Sequence, residues 1–97
     1  MVESSMKLLK FTAPWCSACV AMEPLLEQLA SEYPQFEFVP VDVEQQPAVA
    51  AQYRVRSLPT LVVVDDAGCV LGQHVGLASR AEMVKLLEGA RCQHGIR

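Results

Sequence analysis

Six apolar positions, Cys19, Met22, Leu26, Leu29, Ala30 and Tyr33, recur at spacings of three and four and so line one face of a helix. Glu23, Glu27 and Glu32 supply its polar side, and Pro34 closes it from just beyond its end. What constrains the chain most is what flanks this helix. "KLLKFT" before it reads as a strand over 7–12, and "FEFVPVDV" after it reads as a strand over 37–41. Two strands joined through one helix form a right-handed parallel crossover.

The second half repeats the alternation with a different ending. Pro47 opens a short Ala-rich helix to about residue 53, since proline suits the first helical position. "TLVVV" is a buried strand, and "DDAG" is a turn into a last strand over 69–75, so these two form a hairpin. Ser79 and Glu82 make a capping box for the final helix, which turns Met83, Leu86 and Leu87 inward. The order is βαβ-αββα in a single domain over 1–97, with 91–97 expected as a flexible tail. Pro40 assigns an edge. A proline inside a strand lacks a ladder donor, which places the 37–41 strand at one side of a four-stranded mixed sheet. The 69–75 strand takes the other edge.

Composition removes several classes of function. The chain has 97 residues, 52% of them hydrophobic and 20% charged, which suits one folded domain with its own core. A net charge of -3 argues against nucleic-acid binding, which needs a basic stripe. No apolar run approaches the roughly 20 residues that span a bilayer. The opening "MVESSMKLLKFTAPW" carries Glu3, Lys7 and Lys10 through its apolar stretch and does not read as a signal peptide. The expected compartment is therefore the cytoplasm, where thiols stay reduced.

In that setting "TAPWCSAC" sets the central question. A C-x-x-C pair can be a redox couple, half of a metal site or two buried thiols. Cys16 falls at the first turn of the long helix, just past the end of a parallel strand, where open α/β sheets place their sites. Unpaired N–H groups and the helix dipole favour a thiolate there. Cys19 lies in register with the apolar face and is expected to be the more buried. An exposed nucleophile with a shielded partner is what thiol–disulfide exchange requires. Zinc would need four ligands, and Cys69, His74, Cys92 and His94 show no second paired spacing.

"FTAPWCSACVAMEP", "VDVEQQP", "RVRSLPTLVVVDDAG" and "VGLAS" together resemble the thioredoxin family, in the same order and over about residues 7–87. The resemblance implies the thioredoxin-like three-layer α/β fold. It makes Cys16 the attacking thiol, Cys19 the resolving one, and Pro24 the proline that kinks the active-site helix. It implies a cis bond before Pro59 and a substrate surface formed by Trp15, Leu58, Pro59, Thr60 and Gly76. Two middle residues, Ser17 and Ala18, replace the usual glycine and proline. Lys10 stands where the family carries an acid beneath the resolving cysteine, and Pro40 where it carries a lysine, so Lys10 is a possible modulator of the pair. Thioredoxins also begin with a strand and helix ahead of the segment matched here, which makes this sequence resemble a trimmed thioredoxin with a glutaredoxin-like start.

The expected activity is thiol–disulfide exchange that reduces disulfides in protein substrates, fed by a reductase or by glutathione. No cofactor or metal is implied, because the dithiol itself carries two electrons. The alternatives are a glutathione-linked glutaredoxin-like enzyme and a non-catalytic metal-binding or interaction module. Cys69, Cys92, His74 and His94 read as ordinary surface residues, and the oligomeric expectation is a monomer or weak dimer.

Overall fold

A computed structural model describes residues 6–95, the His94 side chain excepted. Elements run β1 (Met6–Thr12), α1 (Ser17–Glu32), β2 (Phe36–Asp42), α2 (Pro47–Gln52), β3 (Thr60–Asp65), β4 (Val70–Val75) and α3 (Arg80–Gly95). The sheet order is β2-β1-β3-β4, with β1 parallel to β2 and the other pairings antiparallel. Pro40 therefore sits on an edge strand, as its missing N–H requires. It lies level with Lys10 across the β1–β2 ladder.

Alternation along β1 sorts the core into two sides. Met6 and Leu8 join Leu61 and Val63 of β3 beneath α1 and α3, where Met22, Leu26, Leu29, Met83 and Leu87 meet them. Leu9 and Phe11 turn the other way, with Val41, Val62 and Val64, toward Ala50 of α2. Lys10 shares its side of the strand with Leu8, so it faces α1. The central strand β3 is buried at every residue, its apolar run Leu61–Val64 covered on both faces and its ends Thr60 and Asp65 buried with it. Because α2 has only six residues, its side keeps a depression of about 320 Å³ lined by residues including Leu9, Val39, Val41, Tyr53 and Val64.

The two long helices are tied together beyond their apolar contact. Tyr33 at the end of α1 donates its hydroxyl to Glu88 at 2.8 Å, and Arg80 pairs with Glu32. The Glu88 hydrogen bond holds the Tyr33 phenol above its ordinary pKa, and burial adds to this. The capping box of α3 forms as the sequence predicts: Ser79 N donates to Glu82 Oε1 at 2.9 Å, and Glu82 N donates to Ser79 Oγ at 3.1 Å. The Ser79 backbone hydrogen bond keeps the Glu82 carboxyl below the usual carboxylate range.

Residues 91–95, expected as the start of a flexible tail, continue α3 through Gly95, with Ala90 in the core and Cys92 exposed on the helix surface. Beyond Leu87 the chain holds Glu88, Ala90, Arg91 and Gln93 as good helix formers, and Gly89 weakens the helix without ending it once α3 is nucleated. Residues 96–97 lie outside the described residues.

Candidate active site

α1 begins immediately after Cys16, which serves as its N-cap with extended backbone angles (φ -89°, ψ 99°). The Cys16 sulfur occupies the role that a serine or aspartate oxygen usually plays there. It accepts the backbone N–H of Cys19 at 3.2 Å. The strand is led into the cap by a turn in which Cys16 N donates to Ala13 O at 3.1 Å. Cys16 and Cys19 are joined as a disulfide with Cα atoms 5.3 Å apart, inside the range such a bond requires.

The expected difference in burial between the two cysteines is small. Cys16 is 7% exposed and Cys19 5%, so both belong to the small apolar cluster with Ala13. Leu58 and Val43 pack over the cap from distant parts of the chain, which a helix-face argument cannot see. The asymmetry lies in what each cysteine faces. Cys16 lines an open groove of about 260 Å³ with Trp15, Val43, Val55, Arg56 and Leu58. Cys19 lines a much tighter cavity of about 10 Å³ with Lys10, Thr12, Glu23, Pro59 and Leu61.

The other expected site residues divide the same way. Trp15 is 67% exposed at the rim, its indole N–H donating to Glu44 on the loop after β2. The Leu58–Pro59 bond is cis, as the resemblance implied. Leu58 is half-buried beside Cys16, and Pro59 is buried beside Cys19. Gly76 adopts a positive φ of 92°, which favours glycine, and its N–H donates to Pro59 O at 2.8 Å. Exposed Val75 and Leu77 flank it. Thr60 departs from expectation: it is buried, and its hydroxyl donates to Ser57 O at 2.7 Å. Its side chain braces the loop before β3 and presents no surface to a substrate. Pro24 lies inside α1, as expected. His74 is half-buried on β4 with Nε2 3.1 Å from Leu77 O, and Cys69 is exposed.

Three residues at the site escaped the sequence reading. Glu44 is 29 positions from Trp15, and no periodicity connects them. Arg56 joins the Cys16 groove from the loop after α2, and Glu23, read as part of a polar helix face, lines the Cys19 cavity. For Glu23 a signal existed, since it stands one helical turn after Cys19.

A strand-to-helix turn ending in an N-capping cysteine, disulfide-linked one turn on and packed against a cis proline, is built for dithiol chemistry. The family model described as Thioredoxin matches residues 1–89. The chain belongs to the thioredoxin family. It is 37% identical over 86 residues to a thioredoxin of Chlamydia trachomatis, covering 89% of this chain and 83% of that one. With a thioredoxin of Staphylococcus aureus it shares 36% over 88 residues, 90% and 84% of the two chains. Among solved structures, oxidized mitochondrial thioredoxin 3 of Saccharomyces cerevisiae superposes with a TM-score of 0.79 at 30% identity, over 88% of this chain and 79% of that one. A thioredoxin variant of Halobacterium salinarum gives 0.80 at 33%, over 90% and 75%. The fold is thus the thioredoxin-like α/β fold with a four-stranded mixed sheet, and the protein is a protein-disulfide oxidoreductase working through its C-x-x-C pair. Among the described residues no helix is long and apolar enough to cross a membrane.

Proposed function

We propose that Cys16 attacks a disulfide of a protein substrate and Cys19 resolves the mixed disulfide, so that the protein acts as a reductant. One observation carries this division. The Cys16 sulfur takes the N-cap position of α1 and receives a backbone N–H, so negative charge on it is stabilised by a hydrogen bond and by the positive helix end. Cys16 also opens on the larger groove, while Cys19 sits behind it with Pro59. Trp15, Leu58, Pro59 and Gly76 form the substrate surface beside the Cys16 groove.

Substrates are disulfide-containing proteins, and electrons come from a reductase or from glutathione. No cofactor enters, because the pair carries both electrons. Lys10 modulates the pair: an ammonium on the α1 side of β1 favours thiolates, which favours the reduced dithiol and makes the protein a weaker reductant. The compartment that suits this reading is the cytoplasm. The protein is a monomer or weak dimer, association using the sheet face beside α2, whose depression joins Leu9, Val39, Val41, Val49 and Val64 to a polar border that includes Lys7, Gln46 and Asp66. Sedimentation over a wide concentration range tests that last point, and a strict monomer at the highest concentration removes the face as an interface.

The function is tested by turnover on a disulfide-bonded protein, with a thioredoxin reductase and with glutathione offered as alternative donors. Multiple turnovers with either identify the donor. Turnover with neither, while the reduced protein still exchanges stoichiometrically, removes the catalytic reading in favour of an interaction module.

A further inference from the structure

Resolution of a mixed disulfide requires Cys19 to lose a proton, and the cavity beside its sulfur limits where that proton can go. The cavity lies where α1 crosses β1 and the start of β3, and Lys10, Thr12, Cys19, Glu23 and Pro59 line it. Its volume of about 10 Å³ is at the threshold for one water molecule. Besides Cys19 itself, the lining includes two ionisable side chains, Lys10 and Glu23. A protonated lysine only donates, and a threonine hydroxyl can pass a proton without keeping it. Glu23 is the one lining group that can accept it.

We infer that Glu23 is the proton acceptor for Cys19, through a water in this cavity, and that Lys10 stabilises the thiolate left behind. Cys19 and Glu23 stand one helical turn apart, so their side chains share a face of α1. Lys10 approaches the same space from β1. Neither Lys10 nor Glu23 is held in a hydrogen bond or ion pair with another described residue. Glu27, a further turn along α1, lines an adjoining depression with Lys10, Phe38 and Pro40. The segments of β2 and β3 packed here bring Phe38, Pro40, Pro59 and Leu61, none of them charged. The local field is thus set by one cation and two carboxylates.

The substrate sulfur is bound to Cys16 Sγ in the mixed disulfide. The Cys19 thiol gives its proton to the water, which gives one to Glu23. The Cys19 thiolate attacks Cys16 Sγ, the bond to the substrate sulfur breaks, and that sulfur leaves with the electron pair. The protein is oxidised by two electrons to the Cys16–Cys19 disulfide, and the substrate disulfide is reduced to two thiols once Glu23 and solvent return protons.

This inference rests on Cys16 attacking and Cys19 resolving, and the experiment separates the two. Cys69 and Cys92 are first replaced by serine so that only the pair reacts. The reduced protein is mixed with a chromogenic aromatic disulfide, which releases one aryl thiolate on attack and a second on resolution. Glu23→Gln should leave the first phase unchanged and slow the second roughly tenfold near neutral pH, a modest share of what acid–base catalysis can supply. Its second phase should then climb with hydroxide concentration, and Glu23→Asp should recover most of the rate. A second phase in Glu23→Gln with the wild-type rate and pH profile overturns the role of Glu23. If Cys19→Ser loses the first phase while Cys16→Ser keeps it, the assignment of the two thiols falls instead.

Discussion

The backbone N–H of Cys19 points at the sulfur of Cys16 from 3.2 Å, so the resolving residue's own peptide group supports the attacking one. The spacing of the pair makes this possible, because the N-cap side chain reaches the N–H three residues on. Cys19→Ser should therefore leave Cys16 able to form a stable mixed disulfide with substrate, while Cys16→Ser traps nothing. Peptide mapping after alkylation of the reduced protein should find Cys16 modified before Cys19. Faster modification of Cys19 would contradict the N-cap argument.

The hydrogen bond between Trp15 and Glu44 fixes an exposed indole at the rim of the Cys16 groove. Glu44→Ala frees the ring, and an ordered aromatic surface is worth more to a large substrate than to a small one. The expected result is a KM raised a few-fold for a protein disulfide, on the order of the 0.5–1.5 kcal/mol of a typical hydrogen bond. Turnover of a small aromatic disulfide should not change, and an equal effect on both would assign Glu44 to the chemistry.

Lys10→Met keeps the apolar stem and removes the charge. The variant should have a more negative reduction potential, by on the order of 10–30 mV, where about 30 mV is a tenfold change in the dithiol–disulfide equilibrium. Lys10 is only half-buried, which is why a larger shift is not expected. Equilibration against glutathione measures it, and an unchanged potential reduces Lys10 to a packing residue.

Leu29 is fully buried between α1 and the sheet, among Met6, Leu8 and Leu87. Leu29→Ala should cost about 2–5 kcal/mol by urea unfolding, from lost burial plus the cavity left behind. The disulfide chemistry of the folded fraction should survive, because Leu29 lies well over two turns of α1 from Cys19.

Tyr33 and Glu88 make a stability contribution with a defined pH range. The Tyr33 phenol is held above its ordinary pKa, chiefly by the Glu88 hydrogen bond, so the folded state binds that proton more tightly than the unfolded state. The contribution is complete below the unfolded tyrosine's pKa near 10 and is lost as pH rises through the higher folded value. Tyr33→Phe should cost about 1 kcal/mol at pH 7. Tm measured from pH 7 to 11 should show the wild-type advantage shrinking at the alkaline end, and a constant difference would refute the linkage.

Local order carried most of this architecture. Spacings of three and four set α1, β-branched runs set the strands, Pro40 set an edge, and Ser79 with Glu82 set the start of α3, because each rests on contacts within a few residues. The C-x-x-C spacing also sufficed to place two sulfurs one helical turn apart. The environment of those sulfurs was settled elsewhere. Cys16 is buried because Val43 and Leu58 cover it, Trp15 is held by a glutamate 29 positions away, and Thr60 is turned inward by Ser57. Glu23 faces both solvent and the Cys19 cavity, a double role that helical period assigns only as polar. Period tells which side of an element is apolar. What lies against that side comes from segments that meet only when the chain closes, and burial, field and proton path at the dithiol follow from that closure.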